Sequence, residues 1–349
     1  MPTLLAPESQ HAVEPGPVPS FSILIAAYEA AAFIAEAIES ALAQTVPAHE
    51  IVVCDDGSTD DLEAALAPYR ERLVVVRQEN RGEGAAKNTA AANASGDYLV
   101  FLDADDVYLP TRIEALGAAA AARPDLDILA TNAGIEVDGN VVREAYDATW
   151  RFEVEDQRRG ILERNFVLGH AAAKRDRFFA VGGFDDQMRT VADWDLWLRM
   201  ILSGSRAGLI PEPLARYRVR AGSLSTDTPA MLRGGIRCLE RAALHADLSR
   251  QEHSVLAQAM RHRQRRLALV EAQEALRQGR PHARRGLMRI AVGGGYGLRT
   301  RLKAMASAAF PKHAAERLTQ RQRDSWVGAA GVHIDESTTR SDGLTSSES

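Results

Sequence analysis

Three aspartates close one apolar run in this sequence. In "YLVFLDADDVYLP", residues 98–110, Tyr98 to Leu102 predict a buried strand, and Asp103, Asp105 and Asp106 follow at once. Carboxylates at that spacing repel one another unless water, hydrogen bonds or a cation compensate them. A turn capping a helix that begins near Pro110 would account for one of the three. Asp103 and Asp105, two apart in extended chain with Ala104 between, project to the same side. Paired oxygens on one face suit Mg²⁺ or Mn²⁺, which takes one or two protein carboxylates and completes its shell with water and substrate phosphates.

A second acidic cluster is "CDDGSTD", residues 54–60. Gly57 permits a tight turn there, and Ser58, Thr59 or Asp60 is expected to cap the following helix. That leaves Asp56 as an acceptor at the same lip. It could take the imide N–H of uracil or thymine, or the N1–H and amine of guanine, and such hydrogen-bonded recognition discriminates strongly. A third cluster is Asp193 and Asp195 in "DWDLWLRMILSG", an amphipathic helix with Gly204 as its stop. At a helix start Asp193 meets the positive end of the dipole, which favours its ionised form. An N-cap is the simplest use of Asp193, and Asp195 lies two residues on as its competitor for any further role.

The elements that must position these residues alternate between β-rich runs and helical patterns. "FSILIAAY", "HEIVVCDD", "RLVVVRQ", "DYLVFLDADD" and "LDILATN" predict strands, with helices through residues 31–44, 62–70, 83–95 and 110–124 between them. Such alternation predicts an α/β fold with a mostly parallel sheet flanked by helices. Ligands of such sheets bind outside the carboxyl ends of the strands. Those ends carry Ala27, Tyr28 and Glu29, then Asp55 and Asp56, then Asp103 and Asp105. This lip is a poor direct host for phosphate and a good one for a metal ion that holds phosphate.

Past Gly139 the alternation stops. "EVDGNVV" predicts a hairpin around Asp138 and Gly139, and "RRGILERNFV" a short helix. From Thr228 the pattern is helical: Leu256, Met260, Leu267 and Val270 form a stripe, "RQGRP" breaks it, and a second helix runs to the glycines at 293–295. This predicts a helical hairpin on the α/β domain. Between Thr228 and Gly328 there are 20 Lys and Arg against 7 Asp and Glu, although the whole chain carries a net charge of −5. The asymmetry predicts one region that binds cations and another that faces something anionic. Cys54 and Cys238 lack metal-type spacing and read as buried thiols.

The succession "SILIAAYEAAAFIAEAIESALAQT", "EIVVCDDGSTD", "NRGEGAAKNTAAANASGDYLVFLDADD", "VGGFDD", "DWDLWLRM" and "LARYRVRAGSLS" resembles the family 2 glycosyltransferases over about residues 20–226. The resemblance implies a GT-A fold and inverting transfer of a sugar from a nucleotide diphosphate, a UDP-sugar above the others, to a hydroxyl. It implies that Asp56 reads the base, with Ala27, Tyr28 and Glu29 lining the nucleoside pocket. Asp103 and Ala104 then lie on the donor, Asp105 binds the divalent cation (Mn²⁺ or Mg²⁺), and Asp193 is the catalytic base. Lys87 stands where the family usually has arginine, which keeps the charge and loses the planar fork. Ala192 replaces the family's glutamate before the base. Gly183 and Asp185 in "VGGFDD" fall in a loop beside donor and acceptor sugars. Trp194 could stack on a sugar ring, although helical spacing also suits a core residue. His170 is either a buried structural histidine or part of the acceptor site. Arg218 could approach the diphosphate, or serve a surface salt bridge.

The organisation expected is a leader over 1–19, a GT-A domain over 20–227, a basic helical extension over 228–327 and a disordered tail over 328–349. The leader lacks the basic start and apolar stretch of a secretory signal, and no segment approaches the roughly 18–20 apolar residues that cross a bilayer. A cytoplasmic protein is therefore expected, with peripheral contact at the inner face of the cell membrane through the basic helices as one open reading and self-association as another. The acceptor is expected to be a glycan or a lipid-linked sugar in polysaccharide or cell-envelope synthesis, and no nucleic acid partner is implied. A nucleotidyltransferase would carry a glycine-rich basic loop at "AAYEAAAF", and a dinucleotide oxidoreductase G-x-G-x-x-G after a strand; neither is present. The alternative of another class is a non-catalytic binding or scaffold protein with the same fold.

Overall fold

The computed structural model describes residues 18–147, 150–219 and 228–318. Four apolar runs form its central strands: β1 (Phe21–Ala27), β2 (Glu50–Asp55), β3 (Val74–Arg77) and β4 (Tyr98–Asp103). Residues on both faces of β1, β2 and β4 are buried, as parallel strands covered on two sides require. They pair in the order β3-β2-β1-β4, all parallel, with Ala27 opposite Asp55 and Ala26 opposite Asp103. This register brings the strands' acidic carboxyl ends level along one edge.

Beyond β4 the sheet becomes mixed. β5 (Val107–Tyr108), β6 (Ile128–Val137), β7 (Asn140–Glu144), β8 (Ala172–Lys174) and β9 (Ala207–Arg218) complete the nine strands found among the described residues. β8 pairs antiparallel with β4 and β6, while β6 and β9 run parallel. The hairpin expected at Asp138 and Gly139 joins β6 to β7, both turn residues having positive φ, 49° and 77°.

Helices cover both faces. On one lie α1 (Ile34–Leu42), the short α2 (Leu62–Leu66) with a 3₁₀ turn after it, and α4 (Arg112–Ala122), the α1 stripe being Ile34, Ala37, Ile38 and Ala41. On the other, α3 (Glu83–Ala92) buries Ala86, Ala90 and Ala91 close to the sheet, and α5 (Gln157–Glu163), α6 (Arg175–Ala180) and α7 (Ala192–Leu202) complete the layer. Phe101 sits at its centre, 5.1 to 6.1 Å from the rings of Phe184, Phe178 and Trp197.

No side-chain cap forms where the sequence suggested one. Asp61, not Ser58, Thr59 or Asp60, precedes α2, and Thr111 precedes α4. The polar side chains are used across the loops instead: Asp60 accepts from Ala31 N at 2.9 Å, and the Ser58 hydroxyl from Glu29 N at 3.1 Å.

The C-terminal region has four helices among the described elements, α8 (Thr228–Ala242), α9 (Arg250–Arg277), α10 (Ala283–Val292) and α11 (Leu298–Ala309), where a hairpin of two was expected. Cys54 and Cys238 are buried and unbridged, as read from the sequence. Burial pushes the Cys54 thiol up to about 12. α9 opens with a capping box between Ser249 and Glu252 and is about 40 Å long. Its first half joins the main core through Leu256 and Ala259; its second builds a separate core with α10 and α11 around Ala272, Leu276, Leu287 and Ala304. The expected stripe through Leu267 and Val270 is only partly buried, because that stretch bridges the two cores. No described helix is long and apolar enough to cross a membrane.

α8 reaches α7 through adjacent glycines. A Cβ on Gly235 would lie 2.9 Å from the Trp194 ring, and one on Gly234 2.4 Å from the Thr190 hydroxyl. Replacing Gly235 by leucine overpacks this contact and is expected to lower stability by about 1–3 kcal/mol, read from urea unfolding; an unchanged midpoint would contradict the close approach.

Candidate functional site

At the end of β2, Asp55 is buried, accepting from Ser58 N at 2.8 Å and pairing with Arg77, its neighbour on β3. Asp56 is buried too. Its Oδ1 accepts from Gln78 Nε2 at 2.7 Å and Arg81 N at 2.9 Å, and its Oδ2 from Gly82 N at 2.8 Å. The residue expected to read a base therefore also fastens the loop that opens α3. Glu29, in the left-handed region at φ 51°, accepts from Thr59 N and Oγ1 at 2.7 and 2.9 Å. Ala27 is buried and Tyr28 is 53% exposed, so the lip offers an aromatic face next to Asp56.

The aspartates after β4 take three different places. Asp103 Oδ1 receives Lys87 Nζ at 2.8 Å, and the same ammonium reaches Glu83 at 2.5 Å. Burial alone would lower the Lys87 pKa, but the charges of Asp103 and Glu83 outweigh it and raise it. Burial would likewise raise Asp103, and Lys87 more than reverses this, so it stays ionised. Lys87 is thus a clamp between α3 and β4, with its charge already used, where the resemblance placed it on the donor. Ala104 and Asp105 lie partly exposed on the lip. Asp106 is turned inward; its Oδ1 accepts from Arg218 N at 2.8 Å, and burial followed by the Asp103 charge raises its pKa well above the carboxylate range. The Arg218 side chain pairs with Glu36 and, at 3.2 Å, with Glu136, so this structure gives it the salt-bridging use.

A cavity of about 610 Å³ lies between β4, α3, α5, α7 and the α8–α9 pair, lined by Lys87, Asp103, Asn165, Gly169, His170, Phe184, Asp193 and Tyr217 among others. Asp193 enters it from the first turn of α7, directed by Val191, a β-branched residue held at φ 52°. That strained conformation is stabilised from around it, since Asp195 N and the Cys238 thiol both donate to the Val191 carbonyl. Asp193 Oδ2 accepts from Asn165 Nδ2 at 2.9 Å. Burial raises the Asp193 carboxyl to about 6, against the backbone N–H of Trp194 and the Lys87 charge, so the dipole does not keep it at an ordinary value. Asp195 is 1% exposed and ion-paired with Arg199 at 2.7 Å and Arg241 at 3.4 Å, outside the cavity lining.

The other candidates divide. Gly183, at φ 69°, has no room for a side chain, since a Cβ would lie 2.5 Å from Asn88 Oδ1; Asn88 also pins Phe184 by two backbone bonds of 2.7 and 2.8 Å. Asp185 turns to Arg241 on α8, and its neighbour Asp186 lines the cavity instead. Trp194 is 3% exposed and donates to the Ile161 carbonyl at 2.8 Å, so it forms a wall more than a stacking platform. His170 is buried beside the cavity, and burial, then Arg112, lowers it to about 3, leaving a neutral imidazole. Asn165, Asn88 and Glu83 escaped sequence reasoning, and Asp106 was noticed there without a role of its own. Only Asn88 left a signal, as an asparagine in the middle of an alanine-rich helix that it would weaken without a tertiary partner.

Among the described residues no group of three or more His, Cys, Asp or Glu is arranged to hold a metal. Asp103 and Asp105 nevertheless fit the mode in which Mg²⁺ or Mn²⁺ keeps one or two hard carboxylate oxygens and takes the rest from water and phosphate.

A family model described as Glycosyl transferase family 2 matches residues 22–181. The succinoglycan biosynthesis protein ExoO of Rhizobium meliloti is 32% identical over 267 residues, covering 71% of this chain and 74% of that protein. Of two further curated relatives the chain spans 26% and 58% of the length. Among solved structures, S. aureus TarS 1-349 in complex with UDP is similar at a TM-score of 0.57 and 18% identity, over 87% of this chain and 92% of that one. The mannosyltransferase PcManGT from Pyrobaculum calidifontis, in complex with GDP-Man and Mn²⁺, is similar at 0.55 and 19%, over 90% and 87%. At these identities the structural likeness is one of fold.

Lys87→Met would leave Asp103 without its cation, and a loss of about 1–3 kcal/mol is expected in denaturant unfolding at neutral pH. The Lys87 charge holds the Asp103 carboxyl below the usual carboxylate range, so its contribution is present above that range and fades as pH falls through the folded value. The gap between wild type and variant should therefore narrow in acid; a constant gap would assign the loss to packing.

Proposed function

The chain belongs to glycosyl transferase family 2, and on that premise we propose that it transfers a sugar from a nucleoside-diphosphate donor, a UDP-sugar, to a hydroxyl of a glycan or glycolipid. The observation that carries this reading is Asp193, a carboxylate with a pKa of about 6 facing a cavity that also holds Lys87 and Asp103. A base poised near neutral pH takes a proton efficiently from a hydroxyl. The acceptor oxygen attacks the anomeric carbon from the face opposite the diphosphate; its proton passes to Asp193, the carbon–oxygen bond to the diphosphate breaks, and the electron pair leaves with it. Configuration inverts.

Asn165 orients the Asp193 carboxylate, and Asn88 holds the Gly183–Phe184 loop against the cavity. Tyr28 and Asp56 lie where a nucleoside would bind, and Asp103, kept ionised by Lys87, faces the sugar. A divalent cation at Asp105 would neutralise the charge that develops on the departing diphosphate. The UDP in one fold neighbour and the GDP-Man and Mn²⁺ in the other support a donor of this class with a metal.

Replacing Asp193 by asparagine is expected to lower kcat by about 10²- to 10⁴-fold. In the wild type, kcat/KM should fall as pH drops through about 6, where Asp193 takes up the proton. Because its folded pKa is raised, ionisation costs the native state stability as pH rises through that value. The variant should therefore melt no lower than wild type at pH above about 7, and equal losses of melting temperature and activity would point to a structural role instead. Calorimetric titration with UDP, GDP and dTDP, with Mn²⁺ or with EDTA, should show metal-dependent binding of UDP that is lost in Asp105→Ala. Absence of binding by any nucleotide would favour the scaffold reading.

A further inference from the structure

α11 turns its small side chains inward and its large apolar ones outward. Ala304 and Ala308 are buried in the second core, whereas Leu298 is 70% exposed, Leu302 54%, Met305 47% and Phe310, just past the helix, 70%. Leu298, Leu302, Met305 and Ala309 recur at i, i+4, i+7 and i+11, the spacing that lines one helical face. Large apolar side chains gathered on an outward face mark a surface that something else covers. On α10 the exposed residues are Arg284, Arg285, Met288, Arg289 and Val292, so its outward side also mixes apolar and basic groups.

The charge around this surface is of one sign. Between Glu274 and Glu316 the chain holds nine Lys and Arg and no Asp or Glu. Arg299 and Lys303, each one position after a leucine of the stripe, are exposed beside it, and Lys312 is exposed beyond Phe310. That sign decides among occupants. A second copy of this chain would bring two positive surfaces together, and a helix of 12 residues offers little of the roughly 1,200–2,000 Å² that a stable dimer buries. An anionic lipid surface complements both features. Leucine, methionine and phenylalanine side chains enter the acyl boundary while the lysines and arginines beside them stay at the level of the headgroups.

We propose that α11, together with the outward side of α10, is a contact for the surface of a membrane containing anionic lipid. The helix lies along the surface with its apolar stripe inserted and does not span the bilayer. This inference goes beyond the transferase reading and stands without it. α9 links the contact to the candidate site, since Arg263 at the cavity wall and Leu276 in the second core are about 20 Å apart along one continuous helix.

The test is co-sedimentation of the full chain, at low salt, with vesicles of phosphatidylcholine alone and of phosphatidylcholine mixed equally with phosphatidylglycerol. Binding to the mixed vesicles is expected to be about tenfold stronger than to the neutral ones and to weaken with salt. Leu298→Gln combined with Leu302→Gln should lower it about tenfold or more, and Arg299→Gln combined with Lys303→Gln about fivefold per charge removed. All four side chains are exposed, so both variants should keep the wild-type melting temperature. No binding to the mixed vesicles, equal binding to both kinds, or binding unchanged in either variant overturns the inference. Light scattering on the same samples identifies the occupant in that case: a dimer that Leu298→Gln with Leu302→Gln dissociates gives the face to a second copy, and a monomer that ignores both kinds of vesicle gives it to a protein partner.

Discussion

Carboxylates crowd the carboxyl edge of β2 and β4, and the need to compensate each of them organises much of the surrounding structure. Asp55 draws Arg77 from the next strand, Asp56 gathers the N–H groups at the start of α3, and Asp103 is held by a buried lysine. Asp106 meets the same constraint differently, holding its proton and accepting from the backbone of β9. These bonds tie β2, α3, β4 and β9 to one another at the edge where a ligand would enter. The charge density that makes the lip useful for binding is therefore also what fastens the loops around it.

Asp193 and Asp195 show how far environment separates two identical side chains. They are two residues apart in one helical turn, so one faces the cavity and the other turns towards Arg199 and Arg241. The cavity side strips Asp193 of water, and this burial raises its proton affinity despite the hydrogen bonds from the Trp194 N–H and Asn165. On the opposite side, two guanidinium groups surround Asp195. The first arrangement produces a carboxylate able to take and release a proton near neutral pH.

The C-terminal helices are part of the site and more than an attachment to it. Gly234 and Gly235 bring α8 against α7, and α9 lays Arg263 on Trp194. The wall of the cavity opposite the sheet is thus contributed by residues some 40 to 70 positions beyond Asp193 in the chain. This resolves the charge asymmetry of the sequence in part, because the basic segment places some of its arginines inside the protein's own cavity.

The α/β class, the five successive strands and their helices, the Asp138–Gly139 hairpin and the acidic strand ends were all legible from the chain, because hydrophobic period and turn chemistry are local properties. The register that sets Ala27 opposite Asp55 and Ala26 opposite Asp103 came from strand pairing. Other features were decided only by tertiary contact. Lys87 reads as a ligand-binding cation until α3 lies on β4, and Arg218 as a phosphate contact until Glu36 and Glu136 reach it. Asn165 carries no local pattern at all, since it meets Asp193 only when the segment after α5 packs against the start of α7. Sequence determined which groups could carry charge; burial and the distance between elements far apart in the chain decided how those charges are paired, as for Lys87, Arg218 and Asp195.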